Sequence, residues 1–398
     1  LRFVPRQADA IDADALLRVD TCWSATTGLL LVDLIGAADL SMRHLLMALD
    51  AGEPFRVARA MAIESAVRAS DQSGGRLGEQ LADQSRALAR SIGTPPAIAL
   101  SLLADGMMAM AAGEWKKASV ISNRALAMLR DKCVGFWWEM NIAQNLVVWG
   151  LMYQGELREL SRLVPSLLAD ARRRDNLYIA TELCTRSNFA WLAADDPDGG
   201  ERETIESISR WSHKGFHRQH YSARLARVQT ALYRGDAEGA WRLLTEQESS
   251  LRRSLILNRI QVLLVEAHYL RSRCALAMAA RHHESRRFLS VARAGARRIA
   301  RARRPWSDPI ALLLEAAIAY LQGSTPLAVR LLHDAVERFE RADMNLYAAV
   351  ARRRIGALQH DAAGRDMQQQ GDEWMAAQCI RNPMCMTRML APGFPDAA

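Results

Sequence analysis

Gly235-Asp236-Ala237-Glu238-Gly239-Ala240-Trp241-Arg242-Leu243-Leu244 reads as the end of one helix and the opening of the next. Gly235 suits the left-handed backbone conformation that stops a helix. Asp236 can cap the helix that follows, or sit favourably against its positive end. The small Ala240, one turn further on, lets two helix backbones approach. Ala237, Ala240, Trp241, Leu244 and Leu251 then keep a 3.6-residue period, interrupted only by Glu248.

Outward from this stretch the same grammar recurs. Gly52-Glu53, Gly113-Glu114, Gly155-Glu156 and Gly323-Ser324 each follow a helix-like stretch and open another, and Val57, Ala118, Leu160 and Ala328 stand five positions beyond the glycine. Trp115, Ala118, Ser122, Ala125 and Leu129 form one such stripe, and Ala328, Leu332, Ala335 and Phe339 another. The Asp195-Asp196-Pro197-Asp198-Gly199-Gly200 stretch and His282-His283-Glu284 are weaker punctuation of the same kind. Together they set a spacing of about 40 residues, the mark of tetratricopeptide-like helix pairs with lengthened helices or of another α-solenoid. No segment alternates with period two. The expectation is an all-α fold, an α-solenoid of about seven to eight tetratricopeptide-like pairs over residues 1–398 with no significant sheet. Breaks are expected near 71–75 and 304–309, and residues 380–398, with Arg381-Asn382-Pro383 and a short last helix, are expected to form a polar C-terminal cap.

Composition agrees. Ala, Leu and Arg dominate, 23 glycines and 12 prolines are too few for a loop-rich β protein, and half of the 398 residues are hydrophobic. The net charge of +8 is carried almost entirely by arginine, since the only lysines are Lys116, Lys117, Lys132 and Lys214. That bias reads first as the mark of a GC-rich bacterial genome and only then as a nucleic-acid surface. Cys22, Cys133, Cys184, Cys274, Cys379 and Cys385 lie far apart and form no C-x-x-C, so they read as free, mostly buried thiols of a reducing compartment. The apolar run from Gly28 to Ile35 is cut by Asp33 and is too short for a membrane span. A soluble, cytoplasmic chain is expected; opening on Leu1-Arg2-Phe3, it reads as a piece of a longer protein.

Catalytic signatures are missing. There is no Gly-Lys of a phosphate loop, no kinase-type glycine-rich, His-Arg-Asp or Asp-Phe-Gly element, no Gly-x-Ser-x-Gly and no His-Glu-x-x-His. No catalytic residue and no cofactor is assigned. Trp211 to Tyr221 is the densest local cluster. His213, His217 and His220 would share a face of an unbroken helix and could hold a zinc-like ion, but Gly215 should break it. Packing between repeats is then the plainer reading. Most of Arg286, Arg287, Arg293, Arg297, Arg298, Arg301, Arg303 and Arg304, with Glu284 their only acidic neighbour, would point outward if Phe288, Leu289, Ala292, Ala296 and Ile299 faced inward. That face is either simply solvated or meets phosphates or an acidic partner; with no interleaved exposed aromatics, nucleic acid is not expected. Phe136-Trp137-Trp138 and Trp149 belong to the core or to a concave binding surface, and at least one of the adjacent tryptophans must point away. The candidate partner contacts are thus Trp137, Trp138, Trp149, Trp211, Tyr221, Arg293, Arg297 and Arg301.

Thr21-Cys22-Trp23-Ser24, Arg43-His44-Leu45-Leu46-Met47-Ala48-Leu49, Gly52-Glu53-Pro54, Trp211, Gly215-Phe216-His217, Gln219-His220-Tyr221 and the tail Ile380-Arg381-Asn382-Pro383, Met386, Met389-Leu390-Ala391-Pro392-Gly393-Phe394 resemble one family over nearly the whole chain. It is the C-terminal helical region of large bacterial serine/threonine protein kinases that also carry a signal-transduction ATPase. The resemblance implies a tetratricopeptide-like array in a parent that phosphorylates Ser or Thr with ATP, with the kinase and ATPase domains among its partners. Cys379 and Cys385 depart from the family pattern, which has Gly and Arg there; the first replaces a residue suited to ending a helix. The expected role is a non-catalytic regulatory and protein-interaction module binding a protein or peptide on its concave surface. The rivals are the sensor domain of a transcriptional regulator and a metal- or small-molecule-binding helical repeat.

Overall fold

The computed structural model describes residues 2–30, 33–70, 75–246, 248, 249, 251, 260–281 and 285–395. Among them lie 20 α-helices, one short 3-10 turn and no strand. In chain order they are α1 (Ala13–Leu29), α2 (Leu34–Ala51), α3 (Pro54–Ser70), α4 (Gly75–Ile92), α5 (Pro95–Ala112), α6 (Trp115–Lys132), α7 (Trp137–Gln154), α8 (Leu157–Arg173), α9 (Leu177–Arg186), α10 (Phe189–Ala193), α11 (Pro197–Ser209), α12 (Arg218–Arg234), α13 (Ala237–Glu246), α14 (Gln261–Ala279), α15 (Ser285–Ala300), α16 (Asp308–Leu321), α17 (Thr325–Arg341), α18 (Asn345–Leu358), α19 (Ala362–Ala377) and α20 (Pro383–Leu390).

The chain divides into two compact units, Leu1–Gly150 with Asn258–Gln261, and Leu151–Leu257 with Val262–Ala398. The division falls inside α7. Residues 304–309, one of the interruptions expected from sequence, are only the turn from α15 to α16 within the second unit, and the other, 71–75, lies outside the described residues at 71–74. The weak punctuation at His282-His283-Glu284 also lies outside them.

One turn is written repeatedly. Gly113, Gly155, Gly235 and Gly323 take φ of 80°, 85°, 78° and 84°. The next residue's N–H reaches back over the helix end, as Glu114 does to the Ala109 carbonyl and Asp236 to the Ala231 carbonyl, both at 2.9 Å. Gly52 (φ 79°) is left-handed too, but its own N–H closes on the Ala48 carbonyl. The caps vary: Asp236 accepts from the Gly239 N–H and Glu53 from Phe55 and Arg56, whereas Glu114, Glu156 and Ser324 make no side-chain cap. Val57, Ala118, Leu160, Ala240 and Ala328 are all fully buried.

The same conformation recurs where no glycine marks it, at Asp175, Asp195, Arg303, Asp343 and Cys379 (φ 48–58°). Asn176, Asp196, Met344 and Ile380 repeat the long backbone bond at four of these turns. Counting glycines therefore undercounts the turns. Among the described residues, helices adjacent in sequence pack as pairs, α1 with α2, α3 with α4, α5 with α6, α12 with α13, α16 with α17 and α18 with α19.

The two members of a pair are buried differently. The second helix α8 is buried along one stripe, Leu157, Leu160, Val164, Leu168 and Ala171, and α17 along Ala328, Leu332, Ala335, Val336 and Phe339. First helices of the second unit are buried nearly all round: α12 from Tyr221 to Ala226 and from Val228 to Tyr233, and α16 over most of its length. Something must cover their second face. In the first unit Val19, Leu45, Ala48, Val57, Met61 and Leu81 join α1 to α4 in one core. Helix α5 is long and apolar enough, by length and composition alone, to cross a membrane. Half of it is buried against neighbours in the first unit, and its Asp105 pairs with Arg86.

Candidate partner-binding surfaces

What covers the first helices of the second unit is the end of the chain. The Arg381 N–H donates to the Ala193 carbonyl at 2.9 Å, Arg388 to the Tyr233 carbonyl at 2.9 Å, the Tyr269 hydroxyl to the Leu390 carbonyl at 2.5 Å and Arg273 to the Met389 carbonyl at 3.1 Å. Arg354 donates to the carbonyls of Ala391 and Pro395 at 2.9 and 2.7 Å, and its guanidinium lies over the Phe394 ring, which stacks on Tyr320. Residues from α10, α12, α14, α16 and α18 thus converge on one segment. Met386, Met389, Leu390 and Ala391 are at most 3% exposed. The expected polar cap is therefore corrected: the segment is apolar on its buried side and is inserted among the first helices. The unit also meets its own beginning. A Cβ on Gly155 would lie 2.3 Å from the Leu346 Cβ, and the Arg158 N–H donates to Gln378 at 3.2 Å.

Cys379 holds the turn into this segment in left-handed conformation (φ 58°), with the Ile380 N–H bonded to the Met375 carbonyl. The cysteine thus adopts the geometry that a glycine would adopt with less strain. None of the six cysteines is in a disulfide; Cys184, Cys274 and Cys385 are buried, and burial pushes Cys184 and Cys274 up to about 12.

Beneath the tail lies a buried polar network. Arg186 donates to Glu266 at 2.6 Å and to the Tyr153 hydroxyl at 2.9 Å, while the hydroxyls of Tyr153 and Tyr221 donate to Glu266 at 3.1 and 3.0 Å. Burial and the Glu266 charge push both phenols well above their usual range, so they stay neutral donors. Burial opposes the Arg186 charge, and Glu266 more than offsets it. Arg218, the buried Glu182 and the half-buried Tyr178 form a second set. The cavity beside Glu266, Gln229 and Arg273 has about 30 Å³ of free space, room for a water or two rather than an organic substrate. Tyr221, proposed from sequence as a partner contact, is fully buried here with its hydroxyl on Glu266. Sequence pattern could not show this, because α12 carries arginine, glutamine, serine and threonine on faces that the fold buries.

In the first unit the aromatic residues are less covered. Trp23 meets Trp138 edge-on at 6.0 Å and His44 at 5.5 Å, and the Arg59 guanidinium lies 4.9 Å over the Trp23 ring. Asp20 accepts from both Arg56 and Arg59 at 2.5 and 2.6 Å. Trp23, Phe55, Trp138 and Trp149 are half-buried, and Trp137 is 59% exposed. The adjacent tryptophans diverge, as the sequence requires. His44 is buried with neither ring nitrogen hydrogen-bonded, and burial with the nearby Arg59 charge lowers its pKa to about 3.

Gly215 (φ 87°) lies in the loop between α11 and α12, so His213, His217 and His220 do not share one helix. The Trp211 indole donates to His217 Nδ1 at 3.0 Å, and the His217 N–H donates to His220 Nδ1 at 3.0 Å. Among the described residues no three His, Cys, Asp or Glu side chains converge as a metal would need. On α15, Phe288, Leu289, Ala292, Ala296 and Ile299 are buried, and Arg286, Arg287, Arg297 and Arg298 are exposed, with Arg301 exposed in the turn beyond. Arg293 is half-buried and donates to Gln322 at 3.0 Å.

No protein-family model matches the chain, and no curated protein matches it.

Proposed function

We propose that the chain is a non-catalytic regulatory and protein-interaction module: a tetratricopeptide-like α-solenoid of a cytoplasmic, bacterial signalling protein. The reading is carried by the helix pairs joined by one recurring left-handed turn, because stacked pairs of this kind present surface rather than a reaction centre. The buried polar network supports it, since its charges are matched inside the fold beside a cavity too small for an organic substrate. On the resemblance of the Thr21–Ser24, Gly52–Pro54 and Ile380–Phe394 stretches, the parent is an ATP-dependent serine/threonine kinase with a signal-transduction ATPase, whose kinase and ATPase domains this region restrains or releases. The concave-surface binding expected for such arrays belongs in the first unit, where Trp23, Trp138 and Trp137 keep exposed ring surface; in the second unit the corresponding helices hold the chain's own tail.

The test compares the parent polypeptide with and without residues 1–398 for ATP-dependent phosphorylation of a generic Ser/Thr substrate. The proposal expects the phosphorylation rate to change on deletion. Equal rates, or no phosphorylation by either form, would overturn it.

A further inference from the structure

We propose that the outer face of α15, with the turn after it, docks an acidic helical segment of a protein partner; this rests on the interaction-module reading. Between residues 285 and 307 the chain has eight arginines and no lysine, aspartate or glutamate. The net charge of the whole chain is +8, so the other 44 basic residues balance the 44 acidic ones, and the entire excess stands in this segment. The fold turns that excess outward. Phe288, Ala292, Ala296 and Ile299 pin one side of α15 into the second unit, which leaves Arg286, Arg297, Arg298 and Arg301 exposed.

Several exposed arginines elsewhere are matched by carboxylates, Arg162 by Glu159, Arg172 by Glu203 and Arg341 by Glu337, while others such as Arg124, Arg202 and Arg330 stand singly and scattered. Among the described residues no carboxylate does this for Arg297, Arg298 or Arg301. Like charges at this spacing along one helix face repel one another. A partner of opposite charge removes the repulsion.

The geometry favours a protein helix. Arg293, Arg297 and Arg301 are four residues apart, about 6 Å per step along the axis, and carboxylates four apart on a partner helix repeat at the same interval. Guanidinium and carboxylate then meet as paired parallel hydrogen bonds. A single-stranded nucleic acid would instead want exposed rings on which bases stack. Both rings of the segment, Phe288 and Trp306, are buried at 6% and 2% exposure.

The experiment measures fluorescence anisotropy of a labelled Ala-rich helical peptide with glutamates four apart, and of single- and double-stranded oligonucleotides of equal charge, on the full chain at about 0.1 M salt. R293E/R297E/R301E is compared with R124E/R202E/R330E, which changes net charge equally at exposed positions scattered elsewhere. The proposal expects the first triple to weaken peptide binding at least about tenfold and the second less than about threefold, with the peptide bound more tightly than either oligonucleotide. Equal weakening by both triples would mean attraction by net charge alone and overturns it, as does tighter binding of an oligonucleotide or no binding of the peptide. If the reversal triple unfolds, R293Q/R297Q/R301Q is measured against the same outcomes. Failure here with an altered rate in the parental phosphorylation assay removes this surface and leaves the module; the reverse pattern removes the kinase setting and leaves the surface.

Discussion

Both units are built of paired helices, and they cover the first helix of a pair in different ways. In the second, α12, α14, α16 and α18 are buried on both sides because Arg381 to Pro395 lies against them, held by main-chain carbonyls that accept from Tyr269, Arg273 and Arg354. In the first, Trp23, Phe55 and Trp138 stay half-buried around Arg59, with Asp20 supplying the countercharge. A helix buried on every side needs a cover that also satisfies its polar groups, and the second unit carries that cover in the same chain. The aromatic-and-arginine surface of the first is tolerable in water as it stands.

The sharpest break of this contrast is at Glu266. Glu266→Ala leaves Arg186 buried without its carboxylate and is expected to destabilise the second unit by about 3–5 kcal/mol, read by denaturant unfolding. Leu390→Ala or Met389→Ala removes a buried tail side chain and should cost about 2–5 kcal/mol each, whereas a surface cap would lose almost nothing. The first unit should instead show its weakness in acid. Burial holds the His44 pKa at about 3 against an ordinary 6.5, so the unfolded chain takes up the proton first. The stability this site contributes is complete above pH 6.5, is lost as pH falls towards 3, and is down by about 2 kcal/mol at pH 5. Unfolding followed between pH 7 and 4 should show that loss, and His44→Phe should flatten it. The smallest effect has the opposite sign: Cys379→Gly relieves a left-handed cysteine and should stabilise by up to about 1 kcal/mol, seen as a raised thermal midpoint.

What could be read in advance follows from range. The glycine turns and the one-sided stripes of α6, α8, α15 and α17 are local, and Gly52, Gly113, Gly155, Gly235 and Gly323 all take the conformation that their neighbours implied. Asp195 falls in a stretch already marked as weaker punctuation, while Asp175 and Asp343 make the same turn without glycine and are harder to see, because aspartate signals a left-handed turn only weakly. The tail insertion joins residues more than a hundred positions apart, such as Tyr269 to Leu390 and Arg388 to Tyr233. No periodicity encodes such a pairing. Tyr221 was legible as part of an unusual cluster but not as a partner of Glu266, 45 residues on. The arginine stripe was legible both in its residues and in its direction, since five apolar positions at helical spacing fix which way α15 faces.

Hydrogen exchange on the intact chain and on a form lacking residues 381–398 tests the central claim most directly. If the tail is the inner cover of the second unit, amides of α12, α14, α16 and α18 lose protection on its removal, while those of α3 and α5 keep theirs. Unchanged protection along those four helices would contradict the account.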